Sequence, residues 1–116
     1  MFDFGQLERL VPLFEYIDGN FADELSLEKC AELLSLNKSY LCRIFRKATG
    51  MTLTDFINLV RVSKSEEMLS KNKNLSEIAY AVGFSSLAYF NRTFKKYKKA
   101  SPSEYRKLYK KREYNS

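Results

Sequence analysis

The chain contains an internal repeat, and this repeat constrains the possible folds more than any other feature of the sequence. Residues of the first half recur in the second half in the same order, with one extra residue in the turn of the second copy. The matched pairs are Ala31 with Ala79, Tyr40 with Tyr89, Leu41 with Phe90, Arg43 with Arg92, Phe45 with Phe94, Arg46 and Lys47 with Lys95 and Lys96, and residues 54–56 with residues 103–105. A duplication of this size predicts two copies of one supersecondary unit.

Each copy has the pattern of a short helix, a turn and a second helix with two different faces. In the second copy Gly83 marks the turn, and Phe90, Phe94 and Tyr97 recur at helical spacing on one face. The opposite face carries Ala88, Asn91, Arg92 and Lys95. In the first copy the buried stripe is Leu41, Ile44, Phe45 and Ala48, and the opposite face carries Ser39, Cys42, Arg43 and Arg46. This pattern predicts two helix-turn-helix motifs, with recognition helices at about residues 38–48 and 86–97.

The rest of the chain also favours helices, and with only two prolines and four glycines the predicted fold is all-α. A first helix is expected from near Val11, with Pro12 in its first turn, to residues 19–20. Residues 1–10 are read as a leader or as the tail of something upstream. A capping residue, Ser26, precedes a second helix, and Pro102 opens a last basic helix that reaches about residue 112 before a frayed tail.

We expect one domain over residues 1–116. It comprises a first helix-turn-helix subdomain at residues 11–50, a long linking helix at residues 53–70 and a second helix-turn-helix subdomain at residues 74–112. The linking helix begins at a Thr52–Asp55 capping signal and would be about 27 Å long. Two recognition helices joined by such a helix could enter successive major grooves of one DNA duplex, about 34 Å apart.

Composition excludes several classes of protein. The chain has no histidine, so zinc sites and His-based catalysis lose their usual residue, and we predict no metal, no cofactor and no enzymatic activity. The two cysteines form no disulfide framework, and Cys30 is expected to be a small buried hydrophobe. No apolar run is long enough to span a membrane, which favours a cytoplasmic location.

Charge is distributed unevenly along the chain. Residues 1–33 contain two basic and eight acidic side chains, whereas the remainder contains 18 basic and six acidic ones. A basic body suits a polyanionic partner, and an acidic head would face away from it.

The chemistry of the two exposed faces indicates double-stranded DNA. Arg43 and Arg92 can pair with guanine, Asn91 can pair with adenine, and Leu87 and Ala88 offer apolar surface to a thymine methyl group. Lys38 and Ser39 lie in the first turn of their helix, and we assign Lys38 to a phosphate and Ser39 to a base. The other phosphate contacts are assigned to Arg46, Lys47, Lys95 and Lys96.

These residues resemble the AraC/XylS family of transcription regulators. The likeness runs from about Leu25 to Leu108, and the second copy carries the family signature in E-I-A, G-F, Y-F, F-K-K and S-P-x-x-Y-R. The resemblance implies seven helices, sequence-specific promoter binding, and activation through RNA polymerase. It also implies base-reading positions at Ser39, Cys42 and Arg43, and at Leu87, Ala88, Tyr89 and Arg92.

The chain departs from the family pattern in several places. Cys42, Leu87 and Ala88 replace longer polar side chains, so readout would depend more on the arginines and on DNA shape. Lys99 stands where a glycine is usual, which questions the geometry of that turn. Any effector ligand would act through a separate domain that this chain lacks. The chain is therefore either a short stand-alone member or, as we favour, the DNA-binding end of a longer regulator.

An alternative function is a protein-interaction module that uses the helix-turn-helix fold without binding DNA. Partner capture that survives reversal of charge at Arg43 and Arg92 would distinguish it.

Overall fold

Residues 4–115, the part of the chain that this computed structural model describes, fold into helices joined by short loops. In chain order the elements are α1 (Phe4–Asn20), α2 (Leu27–Leu33), α3 (Lys38–Thr49), α4 (Leu53–Leu69), α5 (Leu75–Ala81), α6 (Leu87–Lys98) and α7 (Pro102–Asn115). The predicted all-α class, the seven helices and the two helix-turn-helix units are confirmed.

The chain divides inside α4, between Val60 and Arg61, into two compact units. Each unit has a leading helix, a helix-turn-helix pair and a closing helix. The first half of α4 closes the first unit, and the second half of α4 leads the second. The repeat seen in the sequence is therefore a repeat of whole units.

Matching capping residues start the equivalent helices of the two units. Asn37 accepts a hydrogen bond from the Tyr40 amide at 2.8 Å, and Ser86 accepts one from the Tyr89 amide at 3.1 Å. Such caps satisfy amide groups that have no partner inside the helix. The predicted caps at Ser26 and Thr52 are also present, each accepting from a backbone amide three residues later. Asn74 and Ser101 cap α5 and α7 in the same way.

The core of the first unit is built around three phenylalanine rings. Phe14 of α1, Phe45 of α3 and Phe56 of α4 lie 5.3–5.9 Å apart between ring centroids. Aliphatic side chains of the same helices surround these rings, and Cys30 is fully buried as expected. Burial raises the pKa of the Cys30 thiol, because the thiolate would be poorly solvated there.

The core of the second unit is a chain of four rings. Phe84, Phe90, Phe94 and Tyr105 follow one another at centroid distances of 5.3–5.7 Å. The Phe94–Tyr105 contact is the counterpart of the Phe45–Phe56 contact in the first unit. Equivalent aromatic pairs thus join each recognition helix to its closing helix.

Polar contacts fasten α7 to the end of α4 within the second unit. The Tyr105 hydroxyl donates to Glu66 at 3.0 Å, and Arg106 Nε donates to the Leu69 carbonyl at 3.1 Å. Arg106 also donates to the Lys73 carbonyl, and Lys98 pairs with Glu66. The Arg106–Leu69 contact satisfies a carbonyl group at the C-terminus of α4, which has no partner inside the helix.

Several helix ends differ from the prediction, and the largest difference is at the start of α1. Helix α1 begins at Phe4 rather than near Val11, because its apolar face starts with the fully buried Leu10 and continues to Leu13 and Ile17. Pro12 lies within this helix and faces solvent, where water can satisfy the carbonyl that loses its amide partner. Helix α6 begins one residue later than predicted, and α7 continues to Asn115 instead of fraying after residue 112.

Candidate nucleic-acid interface

The two helix-turn-helix turns begin with the same backbone geometry, before the extra residue of the second turn. The Leu36 amide donates to the Ala31 carbonyl at 2.9 Å, and the Phe84 amide donates to the Ala79 carbonyl at the same distance. Both alanines are buried at the contact between the paired helices. A small side chain at this position lets the second helix begin close to the first.

Each turn contains one residue in the left-handed backbone region. Gly83 has φ 104°, and its counterpart in the first unit is Ser35 with φ 56°. Glycine enters this region freely, whereas serine adopts it at some cost in energy. The start of the first turn therefore has the same left-handed residue as the second, without its glycine.

The recognition helices α3 and α6 bury the faces that the sequence indicated. Leu41 and Phe45 of α3, and Phe90 and Phe94 of α6, are almost fully buried. Thr93 takes the place of Ile44 in the second unit and is also buried. Since these side chains hold the back of each helix against its own unit, the opposite face points to solvent.

The structure brings the predicted base-contacting residues onto the solvent-facing side of α3 and α6. Ser39, Arg43, Ala88 and Arg92 are exposed, and Cys42, Leu87, Tyr89 and Asn91 are half-buried. The predicted phosphate-contacting residues are all exposed, namely Lys38, Arg46, Lys47, Lys95 and Lys96. Four of these five cations lie in the last turn of their helices, where the helix dipole favours positive charge.

Both central arginines rest on a tyrosine one turn earlier in the same helix. The guanidinium carbon of Arg43 lies 5.4 Å from the Tyr40 ring centroid, and that of Arg92 lies 5.5 Å from the Tyr89 ring centroid. These distances are within the range of cation–π attraction. Sequence reasoning missed Tyr40 as a member of this site, although the Tyr-x-x-Arg spacing occurs in both copies.

Tyr89 has further contacts that hold its ring in place. Its centroid lies 5.5 Å from that of Phe84, a core residue of the preceding turn. Tyr89 also interacts electrostatically with Arg61 of α4, a half-buried residue that the sequence did not single out. Burial lowers the pKa of Arg61, because its charge is partly removed from water, and the charge interaction with Tyr89 opposes this effect.

One predicted phosphate ligand already has an anionic partner. Lys38 Nζ lies 3.3 Å from Glu28 of α2, and both side chains are more than half exposed. A hydrogen bond from its own backbone amide, together with Lys38, holds the pKa of Glu28 below its ordinary value. A DNA phosphate would therefore compete with Glu28 for Lys38.

Cys42 and Arg46 also line an open cleft of about 200 Å³ beside α3. Its other walls are Leu27 of α2, and Thr52, Leu53 and Thr54 at the start of α4. Elsewhere in the described part of the chain, no group of three or more cysteine, aspartate and glutamate side chains could hold a metal ion. None of the helices described is both long and apolar enough to cross a membrane.

Comparison with known proteins agrees with this geometry. The profile of a helix-turn-helix domain family matches residues 30–108, from α2 into α7. The chain belongs to the AraC/XylS family of helix-turn-helix transcription regulators. It is an AraC-type DNA-binding domain.

Three relatives illustrate the likeness. The Msm operon regulatory protein of Streptococcus mutans is 37% identical over 92 residues, which are 78% of this chain and 33% of that protein. The C-terminal domain of AraT, a response regulator from Geobacillus stearothermophilus, is 33% identical with a TM-score of 0.75, covering 81% of this chain and 79% of that one. An AraC-type regulator from Chromobacterium violaceum has a TM-score of 0.81 at 23% identity, covering 90% of this chain and 94% of that one, and shows the fold alone. The AraC-type domain described here thus spans about a third of the length of the Streptococcus relative.

Proposed function

We propose that this AraC-type domain binds one asymmetric DNA site, with α3 and α6 in successive major grooves. The observation that carries the proposal is the repeated reading face, an exposed arginine held opposite a buried apolar stripe in both units. Two such helices in one chain would do what most helix-turn-helix proteins achieve by forming dimers.

The base contacts are proposed to centre on the two arginines. Arg43 and Arg92 each pair with a guanine through the O6 and N7 acceptors, and Asn91 pairs with an adenine. Ser39, Cys42, Leu87, Ala88 and Tyr89 complete the base-facing surface in this proposal. Since the residues beside the two arginines differ, each helix reads a different sequence.

The phosphate contacts are proposed to come from the five exposed cations around the reading faces. Lys38 lies at the start of α3, Arg46 and Lys47 lie at its end, and Lys95 and Lys96 lie near the end of α6. Such contacts fix the orientation of the domain on the duplex without reading sequence.

We also propose the wider role of the protein that contains this domain. Promoter binding would activate transcription through contact with RNA polymerase, in the cytoplasm. A separate domain would sense any effector. Residues 1–116 would act as a single DNA-binding domain and would catalyse no reaction.

Fluorescence anisotropy with a labelled duplex tests the central proposal. Five phosphate contacts predict that log K falls with log[salt] at a slope of about −4.5. The variants Arg43→Glu and Arg92→Glu should each abolish specific binding, because a carboxylate would face the base edges and the phosphates. Arg9→Glu on the acidic helix α1 makes the same change of charge and should leave binding nearly unchanged. Absence of binding to any duplex at low salt would refute the proposal.

A further inference from the structure

The arginine–tyrosine contacts of the two recognition helices are equivalent in sequence spacing and in distance. In each unit the tyrosine lies three residues before the arginine, on the same side of the recognition helix. The two distances from guanidinium carbon to ring centroid agree within 0.1 Å. Most neighbouring positions on the two faces differ, among them Ser39 against Ala88 and Cys42 against Asn91. The pair is thus retained where its surroundings have changed.

Stacking has a physical consequence for how an arginine finds a base. An exposed arginine samples many rotamers, and binding in one of them loses that freedom. A ring beneath the guanidinium limits the sampling before DNA arrives. The N–H groups lie in the guanidinium plane, so a ring that contacts the face of the guanidinium would leave them available for the two acceptors of guanine.

The half-buried tyrosines are suited to such a support. Tyr40 packs against the core of the first unit, and the Tyr89 ring contacts Phe84 in the second. Each ring is therefore held by its own unit, while the arginine above it is exposed. A tyrosine ring that is held in place can therefore orient the exposed arginine above it before DNA binds.

We propose that Tyr40 and Tyr89 are positioning residues, which hold Arg43 and Arg92 in the orientation that reads guanine. The inference rests on the proposed base-reading role of the two arginines. It assigns to Tyr89 a role through Arg92 in place of direct readout, and it adds Tyr40 to the site. The ring supplies this function, and the hydroxyl is dispensable.

The geometry is tested first on the full chain without DNA. NMR signals of the Arg43 and Arg92 side chains should be displaced upfield by the ring currents of Tyr40 and Tyr89. The displacement should persist in Tyr40→Phe and Tyr89→Phe and vanish in Tyr40→Leu and Tyr89→Leu. Signals that do not change in the Leu variants would overturn the proposal, whatever the DNA results.

The function is tested by binding to a selected duplex and to duplexes that change one base pair of it. Tyr89→Leu should lower discrimination roughly two- to fivefold at the base pair that Arg92 reads, and leave other positions unchanged. Tyr89→Phe should keep the discrimination. Tyr40→Leu and Tyr40→Phe should repeat this result at the base pair read by Arg43. Tyr80→Leu, at an exposed tyrosine of α5, serves as the control.

A double-mutant cycle separates positioning from direct contact. In an Arg92→Ala background, Tyr89→Leu should cause no further loss of discrimination, because the group that it positions is gone. A further loss in that background, or an equal loss in the Phe and Leu variants, would show direct contact and overturn the proposal. If Arg92→Ala itself left discrimination intact, the base-reading role would fail instead. Should Tyr89→Leu not fold, the cycle at Tyr40 and Arg43 gives the same decision.

Discussion

The two recognition helices are held in their units by equivalent contacts, but the side chains on their solvent-facing sides differ. Both have a capping side chain at the start, a buried alanine in the preceding helix, an aromatic contact to the closing helix, and an arginine in cation–π contact with a tyrosine. Around the arginine, however, α3 presents Lys38, Ser39 and Cys42, whereas α6 presents Leu87, Ala88 and Asn91. Structural positions of the repeat are thus alike, and the exposed positions have diverged.

This difference indicates an asymmetric DNA site. Two identical faces would read a direct repeat of one sequence. The α3 face, which carries an amine and a hydroxyl group, should instead prefer different base pairs from the α6 face, which carries apolar side chains and an amide. The shared arginines would then supply a common guanine contact, and their neighbours would supply the distinction.

The largest effects are expected in the two aromatic cores. Phe45→Ala and Phe94→Ala should each lower the free energy of unfolding by about 3–5 kcal/mol, because each leaves a cavity among buried rings. Urea unfolding followed by circular dichroism measures this. Tyr80→Ala, at a side chain that is 60% exposed, should change stability by less than about 0.5 kcal/mol. A loss below about 1 kcal/mol at either phenylalanine would show that the two cores are not equivalent.

Exchange of the diverged positions should make the two faces alike. A variant with Leu87→Lys, Ala88→Ser and Asn91→Cys gives α6 the side chains of α3 beside an unchanged arginine. Its preferred DNA should approach a direct repeat, and the original site should lose about 1–3 kcal/mol per altered base pair. Selection from random duplexes measures the preference. The reverse exchange in α3 is the matched control, and an unchanged preference in both would contradict a reading role for these positions.

The stability of the domain should change in opposite directions when glycine is introduced at the C-cap of α6 and removed from the C-cap of α3. Gly50 and Lys99 both adopt left-handed backbone, with φ 80° and 63°. Lys99, which stands where the family usually has glycine, therefore still adopts the left-handed conformation that a glycine would favour. Lys99→Gly should stabilise the domain by about 0.5–1 kcal/mol, and Gly50→Ala should destabilise it by about 1 kcal/mol. Thermal unfolding measures both.

Gly19 provides the control for this pair of changes. No atom lies within 4 Å of a Cβ added at Gly19 or at Gly50, so neither substitution creates a clash. Gly19 lies within α1, however, where alanine is favoured, and Gly19→Ala should stabilise the domain by about 0.5–1 kcal/mol. Destabilisation of equal size at both glycines would show that backbone conformation does not explain the effect.

The smallest effect is expected where only the first unit has a competing anion. Glu28→Gln should raise DNA affinity about two- to threefold at low salt, because Lys38 no longer pairs with a carboxylate. Glu32→Gln removes the same charge from the same helix and should have a smaller effect. The gain should disappear in a Glu28→Gln, Lys38→Ala double variant. Equal gains from Glu28→Gln and Glu32→Gln would indicate general electrostatics instead of competition for Lys38.

The pH dependence of this ion pair follows from the lowered pKa of Glu28. Since the pKa lies below its ordinary value of 4.5, the carboxylate stays charged and paired above that pH. The pair is lost as the pH falls through the folded-state pKa, and acidification should therefore mimic Glu28→Gln. Titration of the Glu28 side chain by NMR measures the shift, which Lys38→Ala should reduce in size.

Much of the fold followed from local patterns. Capping residues such as Ser26 and Thr52 act on amides only three residues away, so sequence spacing is enough to predict them. The apolar faces of α3 and α6 can be predicted equally well, because helical periodicity fixes which side chains share a face. The start of α1 was missed because Pro12 looked like a helix start, whereas burial of Leu10 against the rest of the first unit extends the helix past it.

The remaining features of the site depend on tertiary structure. Lys38 and Glu28 lie on different helices, so their ion pair has no local signal. No sequence pattern marks the half-buried Arg61 as part of the site, and only the structure shows its interaction with Tyr89. Stacking of Arg43 on Tyr40 does have a local signal, the three-residue spacing, but that spacing alone does not distinguish a stacked pair from two solvated side chains.

Selection of bound sequences from random duplexes, carried out with the unaltered chain, Arg43→Ala and Arg92→Ala, tests the central claim most directly. The unaltered chain should select one asymmetric site with two preferred clusters about one helical turn apart. Each variant should lose the preference in a different cluster, with a loss of about 1–3 kcal/mol on the original site. A palindromic site, no selected sequence, or the same loss in both clusters for both variants would contradict the view that two different helices of one chain read the DNA.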